Sequence, residues 1–261
     1  MKIHLGRYVL GLAAILFGIF TFAWHAFFVL QQTQSLATLP HRAMLMYLIA
    51  AVEILAGLAI QWQKTARAGA VALAILFSLL AFTWIPSIIA NPKVYYTWGA
   101  FFYPFSKAAG ALILCATPGR GISQQLSKLA QFACISFAFS LISFAIEQIE
   151  FFAHTAELVP KWIPGGQHFW AWATTFAFFL AAIALLCRRL DLLAAQLTTA
   201  MLIGFGVLIW LPVCFGNVHD TFDWSENLEN LAIAGAAWIV ADYLGQNRSA
   251  RAAETLPGSA P

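Results

Sequence analysis

Trp84-Ile85-Pro86-Ser87-Ile88-Ile89-Ala90-Asn91-Pro92-Lys93-Val94-Tyr95-Tyr96-Thr97-Trp98 is matched 126 residues later by Trp210-Leu211-Pro212-Val213-Cys214-Phe215-Gly216-Asn217-Val218-His219-Asp220-Thr221-Phe222-Asp223-Trp224. Two tryptophans, a proline and an asparagine keep register across the pair, and hydrophobic bias alone does not align four such residues. The match implies an internal duplication, so a difference between the two copies is as informative as an identity.

Working outward, the composition sets the class. Of 261 residues 61% are hydrophobic and 10% charged, and the mean hydropathy is +0.78. A chain with so little polar material cannot cover a soluble surface. A spanning helix needs roughly 20 mainly apolar residues. Eight segments meet that requirement: Tyr8 to Leu30, Ala43 to Trp62, Ala66 to Ala90, Tyr96 to Cys115, Leu129 to Phe152, His168 to Cys187, Leu192 to Phe215 and Leu228 to Leu244. The expected fold is an all-α polytopic membrane protein in which eight transmembrane helices form two parallel four-helix repeats, residues 1–120 and 121–246, followed by a disordered cytoplasmic tail at 247–261. The first apolar run exceeds the roughly 7–15 residues of a signal-peptide core and carries no small-residue cleavage site, so it reads as a retained helix.

Lys and Arg give the orientation. With alternating helices, Lys2, Arg7, Lys64, Arg67, Arg120, Lys128, Arg188, Arg189, Arg248 and Arg251 fall on one side, and Arg42, Lys93 and Lys161 on the other. This bias places both termini in the cytoplasm of a plasma (inner) membrane. The acids Glu147, Glu150, Glu157, Asp220, Asp223, Glu226 and Glu229 collect toward the outer face. The net charge of +3 reports topology, and gives no reason to expect a nucleic-acid partner. The bilayer is the partner the composition demands. Four helices per copy is an even number, so both copies enter from the same side, unlike inverted-repeat carriers. Pro86 and Pro212 fall inside the third helix of each copy, where a missing N–H and a ring clash break the hydrogen-bond ladder.

The chemistry-bearing residues are few. Cys115, Cys134, Cys187 and Cys214 stand apart without a CxxC pair, and the histidines lack ligand spacing such as HxxxH, so neither thiol exchange nor a metal centre is expected. No cofactor motif is evident. Glu53 and Lys107 lie at similar mid-membrane depth in the second and fourth helices, and both are replaced together in the second copy, by Phe179 and Ile233. A lone charge there costs on the order of 3 kcal/mol, which pairing relieves. The pattern reads as an intramembrane ion pair, Glu53 with Lys107, either fixing helix packing or forming a proton or substrate site. Glu147, Glu150, His154 and Glu157 follow helical spacing as one acidic stripe at the outer end of the fifth helix. With Trp162 and Glu229 at the same level, they form the expected ligand or partner contact.

Leu158-Val159-Pro160-Lys161-Trp162-Ile163-Pro164-Gly165, then Phe169-Trp170-Ala171-Trp172 and Leu228-Glu229-Asn230-Leu231-Ala232-Ile233-Ala234-Gly235, resemble the DoxX-like family of bacterial integral membrane proteins over about residues 141–244. The first half joins that resemblance through the repeat. The resemblance implies a non-catalytic membrane subunit or scaffold beside a membrane or periplasmic redox partner protein, linked to quinone. The alternative from the residues is a small-solute or proton-coupled carrier using Glu53 and Lys107. No nucleophile with a base, phosphate loop or metal motif marks an independent enzyme.

Overall fold

The computed structural model describes residues 5–25, 41–117 and 124–254. Among these, every regular element is a helix: α1 (Leu5–Trp24), α2 (Arg42–Ala59), α3 (Ala66–Phe82), α4 (Ile85–Ala90), α5 (Tyr95–Ala116), α6 (Gln124–Glu150), α7 (Phe152–Leu158), α8 (Gln167–Cys187), α9 (Asp191–Phe205), a π-helical turn (Gly206–Trp210), α10 (Leu211–Gly216) and α11 (Thr221–Glu254). The joint between the expected repeats, Pro118 to Gly121, and the end of the first expected span, 26–30, lie outside the described residues.

Seven of these stretches are long and apolar enough to cross a membrane. The expectation was eight. The eighth, Leu228 to Leu244 inside α11, carries Glu229 and Asp242, and α11, at 34 residues, fails on apolarity rather than on length. Its position explains the composition: Leu228, Ala232, Ile233, Ala234, Ala236, Ala237, Ile239 and Val240 are buried by neighbouring helices. A helix sheltered by protein on most sides need not satisfy lipid all round. The lipid-type surface is supplied by others, with Leu55, Leu79, Phe176, Leu180 and Leu197 pointing outward.

The two quoted stretches are built alike. Asn91 N donates to Ser87 O at 3.0 Å and Asn217 N to Val213 O at 3.2 Å; Val94 N donates to Asn91 O and Asp220 N to Asn217 O, both at 3.0 Å. Trp98 Nε1 donates to Pro92 O at 3.0 Å and Trp224 Nε1 to Val218 O at 3.2 Å. Each bond recurs at an offset of 126 residues. The prolines break the ladder as expected, in two ways. Before Pro86 the helix stops at Phe82, and Thr83 and Trp84 form a turn; before Pro212 it widens into the π-helical turn Gly206–Trp210.

Packing follows a closed circuit. α1 packs on α2, α2 on α3, α3 on α5, α5 on α6, α6 on α8, α8 on α9, α9 on α11, and α11 returns to α1; α5 and α11 also meet each other across the middle. The circuit therefore has two lobes. α1, α2, α3 and α5 are closed by α11, and α6, α8, α9 and α11 are closed by α5. At the central crossing a Cβ on Gly110 would lie 2.7 Å from the Cβ of Ala236, so only glycine allows this approach, the small-residue device of membrane helix pairs. Gly110 and Ala236 are themselves 126 residues apart.

One difference concerns the C-terminus. The sequence reading ends the last span at Leu244 and treats 247–261 as a disordered tail, yet α11 continues to Glu254. Arg248 donates to Asp191 Oδ1 at the start of α9, and this tie holds the polar extension against the bundle. Residues 255–261 are outside the described residues.

Candidate functional site

Two polar groupings sit in the two lobes. In the first lobe Lys107 Nζ is 2.7 Å from both carboxylate oxygens of Glu229, with side chains 0% and 5% exposed. The ammonium also lies 5.0 Å from the ring centre of Phe17 and 4.9 Å from that of Phe77, inside cation–π range. Lys107 is on α5 and Glu229 on α11, so the pair bridges the central crossing. Residues from α1, α3, α5 and α11 thus converge on one ammonium.

This corrects the expected pairing. Lys107 pairs with Glu229, and no ion pair joins it to Glu53. Glu53, 2% exposed on α2, lies in the electrostatic field of Lys107 and Glu229, while its Oε1 is buried without a hydrogen-bond partner. Glu229 is likewise not at the end of the bundle where α5 begins: it reaches the level of Lys107, about 18 Å along α5 at 1.5 Å per residue. The sequence reading compared depths within the first half alone, whereas the partner comes from a helix 122 residues away. The acids in an otherwise apolar last span were the available signal.

The second lobe encloses a cavity of about 830 Å³ lined from α5, α6, α7, α8, α9, the π-turn and α11. Its walls are largely rings and aliphatic chains. Tyr103, Phe144, Phe178 and Phe205 form a chain of ring contacts, with centroids 5.4, 5.9 and 6.3 Å apart. The polar wall carries Glu147, Gln148, Tyr103, Glu226 and Asn230. Asn230 Nδ2 donates to Leu202 O at 2.8 Å, tying α11 to α9 beside the π-turn, and Thr175 Oγ1 donates to Gln148 Oε1 at 2.8 Å. Leu208, Ile209 and Trp210 of the π-turn line the same space. Such turns occur often at functional sites, and here the break imposed by Pro212 opens the helix toward the cavity.

Glu147 is positioned by a missing side chain. Its Oε1 lies 3.1 Å from where a Cβ on Gly99 would stand, and its carboxylate faces the Tyr103 hydroxyl. Glu226 shares the fields of Glu229 and Glu147. The cavity thus has two carboxylates from two different helices on its inner wall.

The expected acidic stripe is divided. α6 ends at Glu150, and Phe151, with φ −107° and ψ 38°, breaks the helix before α7. Glu147 and His154 line the cavity, whereas Glu150 and Glu157 are exposed and do not. Trp162 is 70% exposed outside the cavity, while Pro160 and Ile163 from the same loop line it. Gln167 holds that loop by donating to Val159 O at 2.7 Å, and Trp170 Nε1 donates to Pro164 O at 2.7 Å. Sequence reasoning missed Glu226 as a cavity residue. Tyr103 is the position that matches Glu229 at the repeat offset, and that correspondence was the usable clue.

Compared with family models, curated proteins and solved structures, the chain matches none of them. The DoxX-like resemblance therefore rests on its motifs.

Proposed function

We propose that the chain is an eight-span, two-repeat protein of a bacterial inner membrane with both termini cytoplasmic, and that it acts as a non-catalytic subunit holding a membrane-soluble small molecule in its second lobe. The hydrogen bonds and helix neighbours that recur at the 126-residue offset support the repeat. The ligand reading rests on one observation, the cavity of about 830 Å³ with ring-rich walls and a short polar wall, the form that small-molecule sites take. Quinone is the ligand the DoxX-like motifs suggest, and the exposed Glu150 and Trp162 beside the cavity mouth are the contacts proposed for a redox partner.

The test uses the purified chain in phosphatidylcholine nanodiscs, with empty discs subtracted, and equilibrium dialysis of decylubiquinone. Saturable binding at one molecule per chain is expected. Gly204 lines the cavity, and a Cβ there meets nothing within 4 Å, so Gly204→Phe should fit the fold yet weaken binding at least tenfold. Uptake that only rises linearly, equal in both proteins, would reject the reading.

A carrier working through Glu53 and Lys107 is the second reading, favoured by the unpartnered Glu53 oxygen. It requires a solute path to that pair, and neither residue lines the cavity. Proteoliposome uptake abolished by Glu53→Gln with the fold intact would establish it.

A further inference from the structure

Resting on the cavity reading above, we infer that Gln148 sets what the second lobe accepts: its amide gives an N–H to a carbonyl oxygen on an uncharged, ring-bearing molecule. Gln148 lines the cavity from α6. Its Oε1 is the held end of the amide, because two hydroxyls of α8 converge on it, Thr175 Oγ1 at 2.8 Å and Thr174 Oγ1 at 3.3 Å. This leaves the amide nitrogen with both protons unspent, and none of the described residues accepts from it. Neighbouring wall groups are engaged elsewhere: Tyr103 hydrogen-bonds Glu147, and Asn230 Nδ2 donates to Leu202 O. An amide nitrogen only donates, so the group it meets must be an acceptor. Among the described lining residues none is Lys or Arg, so an anionic acceptor would find no counter-charge there.

The duplication supports this independently. At the 126-residue offset Gln148, Thr174 and Thr175 correspond to Phe22, Leu48 and Ile49, so the amide and the two hydroxyls that hold it belong only to the copy that builds the cavity wall. Polar groups inside apolar helices are costly unless they are used. Joining α6 to α8 uses one end of the amide, and a carbonyl oxygen arriving in the cavity uses the other. The rings of Phe144 and Phe178, with centroids 5.9 Å apart, offer apolar contact to the body of such a molecule.

Fluorenone and fluorene share one tricyclic shape and differ by a carbonyl oxygen, so the wild-type chain shows directly whether the acceptor is read. In phosphatidylcholine nanodiscs, with empty discs subtracted, both should bind saturably at one per chain, fluorenone about fivefold tighter, within the roughly two- to tenfold that one neutral hydrogen bond is worth. Gln148→Met keeps the length of the side chain and removes the amide. Thr175 Oγ1 and Thr174 Oγ1 then still have Ala171 O at 2.8 Å and Trp170 O at 3.0 Å, so no donor is stranded, and size-exclusion profile and helical circular dichroism should be retained. That variant should bind both compounds at the wild-type fluorene affinity. Thr175→Val, which lets the amide turn, should lower the preference for fluorenone, and Thr175→Ser should keep it. Equal binding of the two compounds by the wild-type chain overturns the inference and keeps the cavity reading, as does an undiminished preference in Gln148→Met. Loss of fluorene along with fluorenone in Gln148→Met makes Gln148 a packing residue and likewise overturns it. Failure of both compounds and of decylubiquinone to saturate the wild-type chain rejects both readings.

Discussion

Replacing Glu229 by Gln removes the anion that meets Lys107 Nζ at 2.7 Å through both oxygens and leaves a fully buried ammonium behind. Breaking a buried pair from one side costs about 3–5 kcal/mol. The ring faces of Phe17 and Phe77 do not offset this, because they hold the cation equally before and after the change. The Gln amide oxygen still accepts one hydrogen bond, which places the expected loss near the lower bound, about 3 kcal/mol. At roughly 2–4 °C per kcal/mol, that is on the order of 10 °C in melting temperature. Glu53→Gln should cost less, because Glu53 makes no direct bond to Lys107. Dodecyl sulfate unfolding from mixed micelles, followed by circular dichroism, gives the free energies. A double-mutant cycle between Lys107→Met and Glu229→Gln should show coupling of about 2–3 kcal/mol, and one between Lys107→Met and Glu53→Gln under about 1 kcal/mol. The reverse order would refute the reasoning and return the pair to Glu53.

Four further outcomes are expected. Reporter fusions after Gln63, Arg120 and Arg189 should read cytoplasmic and those after Gln34, Asn91 and Gly165 external; a mixed result within either set breaks the eight-span topology. Gly110→Leu should destabilise the fold by about 1–3 kcal/mol in the same unfolding assay, the usual range for overpacking, because its side chain enters the space of Ala236; an unchanged curve would show that the central crossing is loose. Arg248→Ala should cost less than about 1 kcal/mol, since the arginine end of its pair is 52% exposed and such pairs are screened; a loss above 2 kcal/mol would make the α11 extension a principal support of the bundle. Glu150→Gln and Trp162→Ala should reduce copurification of a partner from native membranes without changing the melting temperature, and unchanged recovery removes them from the proposed interface.

Local physics was the readable part of this sequence. A proline breaks its own helix whatever surrounds it, so Pro86 and Pro212 announced the turn at Thr83 and Trp84 and the π-turn at Gly206–Trp210. The apolar runs gave the helices for the same reason. What depends on neighbours was hidden. Lys107 shows by its depth that it needs a counter-charge, yet choosing Glu229 over Glu53 requires knowing that α11 crosses α5. The polar content of α11 is intelligible once it is known to be surrounded by protein. The acidic stripe failed on one residue, because the break at Phe151 turns Glu150 and Glu157 away from the cavity that receives Glu147 and His154. The Gly99 void serves a side chain on another helix, and spacing alone carries no trace of it.

The central claim is that the second lobe holds a ligand, and photolabelling tests it most directly. A membrane-soluble aryl diazirine, irradiated with the chain in nanodiscs and mapped by mass spectrometry, should mark cavity segments such as Phe144–Phe151, Trp170–Phe178 and Gly204–Trp210, and an excess of unlabelled ligand should protect them. Labelling confined to outward-facing positions such as Leu180 and Leu197, indifferent to that excess, would contradict the account.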